Sequence, residues 1–166
     1  MNERSNCLIN YILGIDIGLE NLGIAVSDYR GNLIELKTII TSKRQTRGQR
    51  LRDISIKLQR IIKQYQPLEV VIEQLYNHPK MQKSTSALRN VEGVLLAVLY
   101  QYEPIYYHNM TLKATIKNGK ASKKDIIHTL SALYNIKIPD EHQADALSCI
   151  YCHLKKAGYL KQKGQV

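Results

Sequence analysis

The chain contains no phenylalanine and no tryptophan, and its aromatic character rests on 11 tyrosines. That bias fits a codon or lineage preference and points to no function. Also missing is any stretch near the ~18 uninterrupted apolar residues of a membrane span. The run from Val91 to Tyr100 is short and carries Glu92 and Gly93, so no membrane protein is expected. An export signal is not expected either, because Asn10 and Asp16 interrupt the apolar stretch after Leu8 and no small-residue cleavage site follows. Cysteine is scarce: three, an odd number, supply no disulfide framework, and a reducing compartment is expected. The other shortage is acid, with 14 Asp and Glu against 24 Lys and Arg, a net charge of +10 over 166 residues. A chain of this length with 44% hydrophobic residues is large enough to close one core.

Excess positive charge argues for a polyanionic partner when it clusters. Lys37, Lys43, Arg44, Arg47, Arg50, Arg52, Lys57, Arg60 and Lys63 lie in one segment whose basic run is interrupted by a single acid, Asp53. A second group, Lys113, Lys117, Lys120, Lys123 and Lys124, meets no acid until Asp125. Either alone reads equally well as a solvated helix face. Together they favour nucleic acid, where phosphate neutralisation supplies most non-specific affinity.

Apolar periodicity orders the elements. Tyr11 to Gly18 reads as a strand covered on both faces and Asn21 to Ser27 as a second. Asp28 to Asn32 has hairpin chemistry and returns Leu33 to Ile40 as a third, antiparallel strand. Leu51, Ile54, Leu58, Ile61, Ile62 and Tyr65 predict a helix closed by Pro67. Glu69 to Tyr76 reads as a buried strand. A helix capped by Ser84, Thr85 or Ser86 then presents Leu88, Val91, Leu95, Val98 and Leu99. Pro104 to Met110 is expected as a fifth strand and Thr111 to Lys117 as a helical turn. Ser122 and Asp125 form a capping box for a helix ending near Asn135, and Asp140 caps a last helix that Gly158 closes. The order βββαβαβαα, with a right-handed crossover, sets the Glu69 strand parallel to the first and beside it. One domain over 1–158 is expected, with 159–166 as a basic, frayed tail.

Three acids stand in apolar surroundings. Asp16 follows Ile12-Leu13-Gly14-Ile15, Glu73 follows Val70-Val71-Ile72, and Asp145 lies among Ala144, Ala146 and Leu147. Burying a carboxylate costs several kcal/mol unless it is paired or bound to metal. Singly, Asp16 reads also as a turn former, Glu73 as the partner of a core cation and Asp145 as a solvated helix residue. His142, one helical turn before Asp145, reads also as an exposed or capping residue. Convergence of three acids and an imidazole would call for divalent cations, and hard oxygen ligands select Mg²⁺ or Mn²⁺.

From about Ile12 to His153 the chain resembles the RuvC-type Holliday junction resolvases of the ribonuclease H-like nuclease superfamily. Ile12-Leu13-Gly14-Ile15-Asp16-Ile17-Gly18 is similar to that family's first catalytic strand, and Val71-Ile72-Glu73-Gln74-Leu75-Tyr76 to its second acidic strand with the following aromatic. Gly119-Lys120-Ala121-Ser122-Lys123, with the earlier Lys113, is similar to its basic loop. His142-Gln143-Ala144-Asp145-Ala146-Leu147 is similar to its terminal catalytic helix, where many relatives carry an aspartate at the position of His142. The resemblance implies an α/β, ribonuclease H-like fold: a five-stranded mixed sheet of three antiparallel meander strands and then parallel strands, flanked by helices. It implies Asp16, Glu73 and Asp145 as ligands of two Mg²⁺ or Mn²⁺ ions, with His142 as a fourth ligand or proton-transfer group. Two such ions activate an attacking water and neutralise the leaving 3′-oxygen, leaving 5′-phosphate and 3′-hydroxyl ends. Lys113, Lys120 and Lys123 would hold phosphates of four-way or other branched DNA, and Tyr76 would stack on an unpaired base. The helix from Leu88 to Leu99 would form a homodimer. The implied setting is bacterial cytoplasm, or a host's cytoplasm if the gene is carried by a phage.

Two alternatives stay open on the residues. A YqgF-type ribonuclease H-like nuclease acting on RNA shares a similar first strand and hairpin, Gly23 to Asp28. A non-catalytic branched-DNA-binding protein would keep the basic clusters. Cys149-Ile150-Tyr151-Cys152-His153 matches a haem-attachment pattern, but it falls mid-helix beside Leu147, Ile150 and Leu154, so neither haem nor a zinc finger is expected.

Overall fold

The computed structural model describes residues 10–75 and 82–160, over 82–84 as backbone alone. Tyr76, Lys161 and Lys163 lie outside the described residues. Strands β1 (Tyr11–Asp16), β2 (Asn21–Asp28) and β3 (Leu33–Ile40) form the antiparallel meander. Helix α1 (Arg47–Tyr65) crosses to β4 (Glu69–Glu73), which pairs parallel with β1. Helix α2 (Gln82–Val98) leads to β5 (Ile105–Tyr107), and α3 (Asn109–Ile116), α4 (Lys123–Tyr134) and α5 (Glu141–Lys156) follow. The sheet order is β3-β2-β1-β4-β5, the mixed five-stranded arrangement expected.

Strand alternation splits the core in two. Leu13, Ile15, Val70 and Ile72 face α1 and α2, whereas Ile12, Val71 and their alternate neighbours face α3, α4 and α5. Asp16 and Glu73 share the parity of Ile12 and Val71. Both carboxylates are therefore carried to the α5 side at the C-terminal ends of adjacent strands.

Two glycines let α5 lie directly on the sheet there. A Cβ on Gly14 would sit 2.3 Å from the carbonyl oxygen of Ala146, and one on Gly23 would sit 2.0 Å from that of His142. The far end of α5 is held by His153, which is buried. Its Nε2 lies 3.0 Å from Glu69 Oε2, an oxygen that also accepts from the Tyr29 hydroxyl at 2.6 Å. The Tyr107 hydroxyl lies 3.2 Å from His153 Nδ1. The two ring nitrogens thus each face a hydrogen-bonding partner, Glu69 on one side and Tyr107 on the other. Cys149 and Cys152 are buried on the same helix.

Several boundaries differ from the sequence expectation. The fifth strand has only three residues, because His108 stands as the N-cap of α3 and the chain turns helical at Asn109. The expected turn at Thr111 to Lys117 is thus a helix whose Leu112 and Ile116 pack into the α5 side of the core. The order becomes βββαβαβααα. Helix α1 begins at Arg47, earlier than its apolar pattern, since Thr46 and Gln49 form a capping box. The Ser122–Asp125 capping box, the left-handed Asn135 and the Asp140 N-cap stand as expected. Beyond Gly158 the chain starts against the domain: Tyr159 meets Tyr29 edge-on with ring centroids 5.0 Å apart, and Leu160 packs on the core.

Candidate metal centre

Asp16 closes β1, Glu73 closes β4 and Asp145 sits one turn into α5. One oxygen from each lies within 4.8 Å of the others. His142, on the turn before Asp145, places Nδ1 2.9 Å from Asp16 Oδ2. Asp140, the N-cap of α5, accepts from the backbone N–H of Gln143 and from the Thr38 hydroxyl, both at 2.9 Å. The start of the helix is thereby tied to β3.

The charges are unbalanced. Burial, then the carboxylates of Glu73 and Asp16, push the Asp145 carboxyl up to about 7. Burial also raises Glu73, against the opposing hydrogen bond from Asn109 Nδ2 to Glu73 Oε1 at 2.7 Å. The bond to Asp16 raises His142 and favours its imidazolium form. Lys123 is bound to Glu141 at 2.6 Å, which raises its ammonium pKa, and its charge is felt at Asp145 and Glu73. Lys113 acts electrostatically on Glu73. Three oxygen donors gathered this closely, two of them raised by burial and then by their neighbours' charge, fit a hard divalent cation. Beside them opens a cleft of about 580 Å³ lined by Asp16, Glu73, Gln74, Leu88, His108 and Met110 among others.

The structure thus brings together Asp16, Glu73, His142 and Asp145, with Lys113 and Lys123 within electrostatic reach. Lys120 is exposed, its backbone N–H donates to Asn118, and no interaction joins its side chain to the cluster. Tyr76 lies outside the described residues. Sequence reasoning missed Asn109, which lay in a segment read as strand, and Glu141, whose link to Lys123 spans 18 residues. It also missed the use of Gly14 and Gly23, since close approach of a distant helix leaves no local signal.

A mixed sheet with acids ending two adjacent parallel strands and a third on the last helix defines a ribonuclease H-like domain bearing a carboxylate centre for divalent metal. The family model described as crossover junction endodeoxyribonuclease RuvC matches residues 12–153, and the chain belongs to that family. A RuvC from Alkaliphilus metalliredigens is 34% identical over 151 residues, covering 86% of this chain and 91% of that protein. One from Petrotoga mobilis is 34% identical over 163 residues, with 89% and 99% covered. Among solved structures, Thermus thermophilus RuvC in complex with a Holliday junction substrate superposes with a TM-score of 0.80 at 18% identity, covering 90% of this chain and 95% of that one. The yeast mitochondrial resolvase Ydc2 gives 0.66 at 14%, with 93% and 82% covered. Family membership decides against the YqgF-type alternative.

Proposed function

We propose that this chain is a metal-dependent endonuclease that resolves Holliday junctions and other branched DNA in recombination and repair. The products are symmetrical nicks with 5′-phosphate and 3′-hydroxyl ends. The observation that carries the reading is the meeting of Asp16, Glu73 and Asp145 from three separate elements in a chain of this family. Residues 1–158 form the nuclease domain and 159–166 its basic tail.

In this reading Asp16, Glu73 and Asp145 hold two Mg²⁺ or Mn²⁺ ions. Bound there, such ions supply Lewis acidity for an attacking water and a leaving 3′-oxygen. Asn109 orients Glu73 through its amide. His142 commits Nδ1 to Asp16, so Nε2 is the nitrogen left to carry a proton or to act as the fourth ligand. Lys113 and Lys123 neutralise the phosphates entering the cleft, and Lys120 reaches the flanking backbone. Tyr76 stacks on an unpaired base at the junction centre. Two copies joined through α2 present two such sites, as paired incision of a four-way junction requires.

The test compares wild type with Asp16→Asn and Glu73→Gln on an immobile four-way DNA junction. Binding is scored in EDTA and cleavage in Mg²⁺ or Mn²⁺. Binding by all three proteins with paired nicks from wild type alone, and a loss of at least about 10³-fold in the variants, is the expected result. Wild-type binding without cleavage in either metal on several junction sequences would leave a non-catalytic branched-DNA-binding protein. No preference for the junction over duplex would sink the reading.

A further inference from the structure

The first turn of α5 meets the sheet along one row of residues. Asp16 of β1 pairs with Gly23 of β2, and Gly23 pairs with Thr38 of β3. Residues paired in this way point to one face of a sheet. Thr38 alternates with Ile39, which is buried on the α1 side, so Thr38 faces α5 as Asp16 does. Each member of the row has its own contact with the helix. Asp16 Oδ2 lies 2.9 Å from His142 Nδ1, Gly23 leaves room for the His142 carbonyl, and the Thr38 hydroxyl donates to Asp140 Oδ2 at 2.9 Å across 102 residues of sequence.

Asp140 uses more of its carboxylate than a cap requires. Capping takes one oxygen, and Oδ1 accepts from the Gln143 N–H at 2.9 Å. The other oxygen, Oδ2, accepts both from Thr38 and from Gln143 Nε2, the latter at 3.0 Å, and Gln143 is itself buried. The carboxylate is therefore gripped from two sides, by its own helix and by β3. On the same turn Glu141 is bound to Lys123, but both side chains are open to solvent, and such a pair restrains weakly. Restraint on the turn that bears His142 thus comes from the Thr38 side.

We propose that Thr38 is a positioning residue of the metal centre. Through Asp140 it fixes the first turn of α5 over the sheet, and with it the place of His142 on Asp16 and of Asp145 one turn further along. The inference deepens the nuclease reading above and rests on it. Thr38 itself touches neither metal nor substrate. Groups that hold metal ligands in place alter metal affinity or activity by about 10–100-fold when removed.

The test compares Thr38→Val, which keeps the branched shape suited to a strand and loses the hydroxyl, with Thr38→Ser, which retains it. Asp140→Ser keeps a capping oxygen but has one oxygen where Asp140 uses two. Thr115→Val is the control, because it removes a hydroxyl that meets Cys152 of α5 far from the first turn. Four quantities are read: Mn²⁺ affinity by calorimetry, melting temperature, single-turnover cleavage of a four-way junction, and, in EDTA, the imidazole nitrogen resonances of His142, assigned by their loss in His142→Gln. Thr38→Val and Asp140→Ser are each expected to weaken Mn²⁺ binding by about tenfold or more and to slow cleavage by about 10–100-fold. Both should shift the His142 resonances and leave junction binding in EDTA unchanged. Thr38→Ser should restore wild-type behaviour, and the double variant Thr38→Val/Asp140→Ser should be no worse than either single one, since both break the same bond. Wild-type Mn²⁺ affinity and His142 resonances in Thr38→Val would overturn the proposal. So would additive losses in the double variant, or equal loss of cleavage and melting temperature in Thr38→Val and Thr115→Val. If Thr38→Val does not fold, Asp140→Ser decides by the same readings. Wild type that binds Mn²⁺ yet nicks no junction would overturn the resolvase reading alone, because Mn²⁺ affinity and the His142 resonances still decide the role of Thr38.

Discussion

Asp145 holds its proton up to about pH 7 because burial and two neighbouring carboxylates disfavour its charge. A cation entering the site must displace that proton, so metal affinity is expected to fall about tenfold per pH unit below 7 and to level above it. Calorimetric titration with Mn²⁺ between about pH 5.5 and 8.5 checks this. Stability without metal follows with the opposite sense. The folded pKa exceeds the unfolded value of about 3.9, so the folded state binds more protons between the two and loses stability as pH rises from about 4 through 7. Asp145→Asn, which carries no charge to repel, should therefore unfold later than wild type in EDTA at pH 8, by about 1–2 kcal/mol, while losing cleavage. A fall in thermal stability would contradict this. Asn109→Ala removes the bond that opposes the upward shift of Glu73. The acidic limb of the activity profile should then move to higher pH.

At the scale of elements, α5 is placed by what the sheet omits. Gly23→Ala would drive a methyl into the His142 carbonyl, and Gly14→Ala would do the same at Ala146. Both should destabilise by about 1–3 kcal/mol. Gly23→Ala, beside Asp16, should cost activity beyond its loss of stability, and activity assayed well below the melting temperature separates the two effects. The helices were legible wherever capping chemistry and apolar spacing agreed, as at Ser122–Asp125 and Asp140. At α3 only the start was illegible: Thr111 to Lys117 reads as a helical turn, but Pro104 to Met110 has strand-like composition and His108 ends the extended stretch earlier. A local pattern of seven residues cannot distinguish a long strand from a short one followed by a helix.

At the scale of the whole molecule the proposed dimer makes a prediction about α2. Leu96 on α2 and Tyr100 just beyond it are exposed, at 45% and 77%, on the helix that the proposed dimer uses. Leu96→Lys should shift the sedimentation of a two-copy particle toward one copy and abolish paired incision more than single nicking. A wild-type protein that sediments as a single copy at micromolar concentration would remove the dimer.

The residues alone determined the strand order up to β4, the parallel pairing of β4 with β1, and the identity of the acids. These follow from short-range rules: alternation, turn chemistry, crossover handedness and the cost of a carboxylate in an apolar run. Only the tertiary structure decided that Asp145 meets Asp16 and Glu73 within 4.8 Å, that His142 turns to Asp16, that Asn109 serves Glu73, and that Thr38 of β3 meets Asp140. Each of those depends on where a helix lies over a sheet. That placement is set by packing between residues far apart in the chain, such as Gly14 beneath Ala146, and no local pattern encodes it.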